Sequence, residues 1–217
     1  MMAMQAWIYD AVRTPRGKAR PDGGLAALKP QQLVGTLVDA LQQRGQTPRT
    51  AQALVLGCVD QVGDQGGNIA LVSKLHAGVA DSATAFALNN YCVSGLTAIG
   101  HVAMQVSLGQ LDRALAGGVE MMSRVPFMGD RAAYYSDATF PPRTRYIPVV
   151  LAADRLAQTE NISRAQLDAV ALTSQQRAAA AAQRPALQAS CVAAGTLTAD
   201  ECPRPQTRDR KSTRLNS

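Results

Sequence analysis

Over its first 120 residues the chain alternates between two hydrophobic periods, and this constrains the fold more than any other feature of the sequence. Residues 5–12 read as a strand that enters the turn-rich loop Arg13-Thr14-Pro15-Arg16-Gly17. Pro30 opens a helix with Leu33, Leu37 and Leu41 on one stripe and Val34 and Val38 beside it. Residues 53–57 form a short apolar run, read as a buried strand. Gly66-Gly67 begins a second helix with Ile69, Val72 and Leu75 on one side. Residues 84–88 are a third strand, and 94–108 a third helix with Leu96, Ile99, Ala103 and Val106 marking the expected buried face. Residues 113–118 are a fourth strand. Strand and helix in this rhythm specify βαβ units, and therefore an α/β fold with a mainly parallel sheet.

The pattern changes after Gly118. Residues 119–148 carry Pro126, Pro141, Pro142 and Pro148 and most of the tyrosines, a long irregular excursion of the kind that usually serves function. Two helices follow, over 149–158 and from Ser163 into the alanine run 178–182. Ser163-x-x-Gln166 is a capping box, and Ile162 and Leu167 are placed as a hydrophobic staple. Beyond Pro185 the periodicity fades and the segment reads as poorly specified.

Charge argues against nucleic acid as a partner. The net charge is +6, but residues 204–217 hold five basic residues (Arg204, Arg208, Arg210, Lys211 and Arg214) against Asp209 and so carry four of those charges. The rest of the chain is nearly neutral, and three Phe, five Tyr and one Trp supply few stacking platforms for single strands. No apolar stretch approaches the ~18 residues of a membrane span, and residues 1–12 lack the basic and apolar regions of a secretory signal. A cytoplasmic protein is expected, with neither membrane nor nucleic acid as partner. The four cysteines, Cys58, Cys92, Cys191 and Cys202, form no Cys-x-x-Cys pair, and with only His76 and His101 to help them no metal site is expected.

The segment that carries chemistry is Asn89-Asn90-Tyr91-Cys92-Val93-Ser94-Gly95. It places Cys92 on a tight strand-to-helix turn, where unpaired N–H groups and the positive end of the helix dipole stabilise a thiolate, the nucleophilic form. Ser94 and Gly95 are small enough to let the backbone pass close to a neighbour. A small buried residue in a turn is the alternative role for Cys92. A nucleophilic cysteine needs a base, and His101 lies nine residues further on, roughly 13 Å along a helix. His101 and His76 are read as structural, and Cys58 as core. Either Cys92 is not catalytic or the rest of its site lies outside this chain.

The segment around Cys92 resembles the nucleophile segment of the thiolases, which condense or cleave acyl-CoA thioesters. Three further segments agree in order and spacing. Arg13-Thr14-Pro15-Arg16-Gly17-Lys18 is similar to the family's opening loop. Gly117-Gly118-Val119-Glu120-Met121-Met122-Ser123-Arg124-Val125-Pro126 is similar to its GG-x-E-x-M-S-x-x-P segment. Ile162-Ser163-Arg164-Ala165-Gln166-Leu167-Asp168, continued by Ser174-Gln175-Gln176-Arg177-Ala178, resembles the helix of the loop domain that covers bound CoA. The resemblance covers about residues 5–183.

The resemblance implies a five-layer αβαβα fold of two similar halves, with a loop domain inserted in the first. Residues 1–118 would be the first βαβ half-domain, 119–203 part of the inserted loop domain, and 204–217 a basic tail. It implies an acyltransferase in lipid or fatty acid metabolism, with Cys92 as the acyl-thioester nucleophile. Acyl-CoA and CoA would be its substrates and products, with no permanently bound cofactor, and the full-length protein would be a homodimer or homotetramer. A non-catalytic acyl-CoA or lipid binder is the alternative. The family's second-half motifs, which supply its acid–base histidines and second cysteine, do not occur here, so a truncated and inactive chain is expected. Tyr146-Ile147-Pro148 stands where many members carry a His-Met-Gly-like stretch, which implies a different acyl pocket. Residues 209–217, Asp-Arg-Lys-Ser-Thr-Arg-Leu-Asn-Ser, resemble the translation of a sequencing-adapter read-through, since GAT CGG AAG AGC ACA CGT CTG AAC TCC encodes that string, and they are expected not to be biological.

Overall fold

Strand β1 (Ala53–Gly57) is buried along its whole length, and the sheet is built around it. In the computed structural model, which describes residues 5–204 and 206, β2 (Thr84–Leu88) and β3 (Leu115–Gly118) flank it in the order β2-β1-β3. Both pairings are parallel, with Gly57 opposite Leu88 on one side and Gly118 on the other. All three strands therefore end at one edge, the usual place for a site in an open parallel sheet.

Alternate β1 residues face opposite layers. Leu54 and Leu56 pack with Val34 and Val38 of α1 (Pro30–Gln43) and with Ile69 and Ala70 of α2 (Ile69–His76). Val55 packs with Ala98 and Val102 of α3 (Ser94–Ser107). The result is an αβα arrangement, the α/β character expected from the alternating periods. Gly35 brings α1 and α2 together, since a Cβ there would sit 3.1 Å from the His76 ring.

Three local readings are corrected. Residues 5–12 form no strand. They are extended with Trp7, Ile8 and Tyr9 exposed, and among the described residues the only ladder contact beside them is a single bridge from Arg13 to Cys191. Apolar β-formers suit a strand but do not supply a neighbour to pair with.

The buried faces of two helices also differ from expectation. In α3, Ser94, Ala98 and Val102 are buried while Leu96 and Ile99 are exposed. In α2, Ile69 is buried as expected, but beside Ala70, Ser73 and Lys74, while Val72 and Leu75 are exposed. Both helices are apolar on several sides, so periodicity does not select a face. The sheet packs against Ile69 and Ala70 of α2 and against Ala98 and Val102 of α3.

The segment after Pro185 is well specified rather than loose. Arg13 N–H donates to the Ser190 carbonyl and Val192 N–H to the Arg13 carbonyl, each at 2.8 Å. Ala194 is buried with Leu25, Leu33 and Met121, and Leu197 packs beside them.

The chain falls into two compact units, residues 5–130 with 190–201, and residues 131–189 with 202–204 and 206. The second contains α4 (Val149–Thr159), α5 (Arg164–Ala182) and α6 (Pro185–Gln188), and none of these helices buries a residue. The capping box of α5 is present, with Ser163 Oγ accepting from Gln166 N–H and Gln166 Oε1 from Ser163 N–H. Tyr134 packs against Tyr135, Phe140 and Tyr146 with ring centroids 5.6–5.9 Å apart. Among the described residues no helix is long and apolar enough to cross a membrane. Residues 209–217 lie outside the described residues.

Candidate active site

Three loops leave the common edge of the sheet, and side chains tie them together. After β3, the Glu120 carboxylate accepts from the Val59 N–H at 2.7 Å and from Gln65 Nε2 at 2.6 Å, both in the loop after β1. Gln65 is fully buried; its Nε2 also donates to the Asp60 carbonyl at 2.8 Å, and its Oε1 accepts the Met121 N–H. After β2, Asn89 Nδ2 donates to the Val59 carbonyl at 3.2 Å. Val59 is thus held on one side by the loop after β2 and on the other by the loop after β3.

The turn from β2 into α3 is closed by its own side chains. Asn89 Oδ1 accepts the Tyr91 N–H at 2.8 Å, an Asx-type turn. Tyr91 adopts φ +49°, a left-handed conformation that costs a non-glycine residue free energy. Asn90 Nδ2 donates to Thr97 Oγ1 at 2.9 Å, one turn into the helix. Ser94 Oγ accepts the Asn90 N–H at 2.8 Å and donates to the Tyr91 carbonyl at 2.6 Å. Cys92 lies inside this closed turn and is exposed. The helix begins at Val93 without a side-chain cap. The Val93 and Ser94 N–H groups are taken up inside the turn by the Asn90 and Tyr91 carbonyls, so the positive end of the helix dipole is presented to the turn by the N–H groups that follow them.

Glycine lets the helix start sit this close to the strand ends. A Cβ on Gly57 would lie 2.3 Å from the Ser94 carbonyl carbon and 2.4 Å from the Gly95 nitrogen. A Cβ on Gly118 would lie 3.1 Å from the Gly57 carbonyl oxygen and 3.4 Å from the Gly95 Cα. Gly57 and Gly118 therefore fix where the Cys92 turn stands above the sheet.

The other sequence candidates are placed elsewhere. Cys58, buried at the end of β1, has its thiol pushed up to about 12 by burial, with Glu120 and Asp60 adding to the effect. It remains a thiol and serves as core. His101 stands edge-on to Phe86 of β2, with ring centroids 5.3 Å apart. His76 faces Gly35. These are the chain's only two histidines, and each is engaged in helix or sheet packing. Among the described residues no three His, Cys, Asp or Glu side chains are grouped to hold a metal ion.

Two parts of this framework are invisible to periodicity. One is the Glu120–Gln65–Val59 network, whose only signal is a charged residue two positions after the Gly117-Gly118 strand end. The other is the carboxylate pair Asp200 and Glu201, which grips the loop containing Arg13 and Lys18. Arg13 makes two bonds to Asp200, at 2.7 and 3.0 Å, and the Arg16 N–H a third at 2.8 Å. The Lys18 and Gly24 N–H groups both donate to Glu201 at 2.9 Å.

Comparison with known proteins gives the family of the chain. The family model described as "Thiolase, N-terminal domain" matches residues 6–210. The beta-ketoadipyl-CoA thiolase of Pseudomonas aeruginosa is 35% identical over 195 residues, covering 82% of this chain and 48% of that protein. The 3-ketoacyl-CoA thiolase of Bacillus subtilis is 34% identical over 178 residues, covering 82% and 45%. The chain thus spans about half the length of the curated relatives it matches. Among solved structures, the acetyl-CoA acetyltransferase of Bacillus anthracis superposes with a TM-score of 0.81 at 28% identity, covering 99% of this chain and 59% of that one. Human mitochondrial 3-ketoacyl-CoA thiolase in complex with CoA superposes with a TM-score of 0.78 at 25% identity, covering 94% and 56%.

Proposed function

Because the chain belongs to the thiolase family, we propose that it carries the nucleophile of an acyltransferase acting between acyl-CoA and CoA, and that Cys92 is that nucleophile. The observation that carries this reading is an exposed cysteine in a side-chain-closed turn at the common C-terminal edge of a parallel sheet, ahead of an uncapped helix.

In the reaction we infer, the Cys92 thiolate adds to the 3-keto carbonyl of a 3-ketoacyl-CoA. The carbon–carbon bond to the acetyl-CoA unit breaks, and that unit leaves as a carbanion and takes a proton. The acyl group remains on Cys92 as a thioester. The thiol of CoA then attacks it, a new acyl-CoA leaves, and the cysteine is restored. In the condensing direction a second acyl-CoA takes the place of CoA. The Cys92 N–H and the first turn of α3 are placed to meet negative charge on the carbonyl oxygen.

Proton transfer needs a group that neither His76 nor His101 supplies from its place in the packing. We assign it to residues outside this chain, so the chain alone does not turn over. CoA serves as substrate and product, the pathway belongs to lipid or fatty acid metabolism in the cytoplasm, and the whole protein assembles as a homodimer or homotetramer.

The test is thiolysis of acetoacetyl-CoA by the protein read from the full reading frame at this locus. Acetyl-CoA release that disappears in Cys92→Ala supports the assignment. Undiminished release by that variant overturns it.

A further inference from the structure

Ser94 is the first residue of α3 and is 4% exposed. Its hydroxyl accepts the Asn90 N–H at 2.8 Å and donates to the Tyr91 carbonyl at 2.6 Å, and its own N–H donates to the same carbonyl at 3.0 Å. Three bonds from one residue thus close the turn 90–94 around Cys92. The residue so clasped, Tyr91, holds φ +49°, a conformation that persists in a non-glycine residue only where its surroundings over-determine it. The clasp has a firm base. The would-be Cβ of Gly57 falls within 2.7 Å of the Ser94 carbonyl carbon and Cβ, so the serine backbone rests directly on the end of β1.

A hydroxyl has one proton to donate, and this one is committed to the Tyr91 carbonyl. Ser94 therefore has no donor left for the Cys92 sulfur or for a substrate. Building on the reading of Cys92 as the nucleophile, we propose that Ser94 is its positioning residue, setting thiolate reactivity by holding Tyr91 left-handed and Cys92 at the mouth of α3. Without the clasp, the Asn90 N–H loses its acceptor and the Tyr91 carbonyl loses one of its two donors. The turn then relaxes toward ordinary backbone angles, and Cys92 moves away from the N–H groups that favour its anion.

The test is peptide-resolved mass spectrometry of iodoacetamide alkylation across pH 6 to 9, with exposed Cys202 as the internal reference. Ser94→Ala is expected to slow Cys92 by about tenfold at neutral pH and to move its rate profile to higher pH. Cys202 should be unchanged, and Ser94→Thr, which keeps the hydroxyl, should restore the wild-type profile. An unaltered Cys92 rate and profile in a folded Ser94→Ala overturns the proposal. Wild-type Cys92 that reacts no faster than Cys202 overturns the nucleophile reading as well, which separates the two failures. If Ser94→Ala does not fold, hydrogen exchange of the wild-type chain decides. A protected Asn90 amide supports the clasp, and exchange as fast as that of an open amide overturns it.

Discussion

At the scale of the residue, the site depends on side chains that are missing as much as on those present. Gly57 has no Cβ, and an added methyl would fall 2.3 Å from the Ser94 backbone, with no flexible side chain to yield. Gly57→Ala is therefore expected to destabilise the chain by about 3 kcal/mol in urea unfolding, and to slow Cys92 alkylation because the start of α3 must lift. Gln65 is the opposite case, a fully buried amide serving the Asp60 carbonyl, the Glu120 carboxylate and the Met121 N–H. Gln65→Leu strips the Met121 N–H of its acceptor and removes one donor each from the Asp60 carbonyl and the Glu120 carboxylate, and is expected to cost about 3 kcal/mol in the same measurement. A loss below about 1 kcal/mol would show that the network does not hold the strand-end loops together.

At the scale of the element, the segment 190–201 is secured largely by Asp200 and Glu201, and its hold depends on pH. The Arg13 guanidinium, and then the Arg16 N–H, hold the Asp200 carboxyl below its ordinary value, while the Lys18 and Gly24 N–H groups do the same for Glu201. A carboxyl lowered in the folded state adds stability above its unfolded value, about 4, and loses it as the pH falls through the lowered folded value. Protection from hydrogen exchange over 190–201, taken relative to the intrinsic rate at each pH, should therefore fall between pH 5 and 3 while β1 stays protected, and Asp200→Asn should show the lower protection already at pH 7. Equal protection of the segment at both pH values would contradict the clasp.

Elements of this kind mark the limit of what the sequence reveals. β1, β2, the helices over 30–43 and 94–107, and the capping box at Ser163 follow from period, proline and cap residues. The turn carrying Cys92 follows from the strand-to-helix junction. The segment at 190–201 is fixed by long-range carboxylate and backbone bonds, which leave no period. The buried faces of α2 and α3 follow only in part from period, because a helix apolar on several sides offers several faces: Ile69 is buried as expected, while Val72, Leu75, Leu96 and Ile99 are exposed. Residues 5–12 have a strand's composition, yet no strand lies beside them among the described residues.

At the scale of the whole molecule, α3 is buried on one side only. Val93, Leu96, Met104 and Leu108 recur at helical spacing on the other side and are 50–72% exposed. An apolar helix open along one flank belongs inside a larger body, in keeping with a chain that spans 48% of its Pseudomonas relative. The isolated chain is expected to self-associate at micromolar concentration through this flank. Leu96→Glu combined with Met104→Lys should reduce light scattering without loss of helical circular dichroism. Unchanged scattering would place the sticky surface elsewhere.

The central claim, that an acyl group is taken up by Cys92 and that its turnover requires groups outside this chain, is tested most directly by peptide-resolved mass spectrometry after incubation with acetoacetyl-CoA. The account predicts acetylation confined to Cys92, at occupancy well below complete and without sustained acetyl-CoA release. Acetylation of Cys191 or Cys202 in preference to Cys92, or full occupancy at Cys92 with continued turnover, would contradict it.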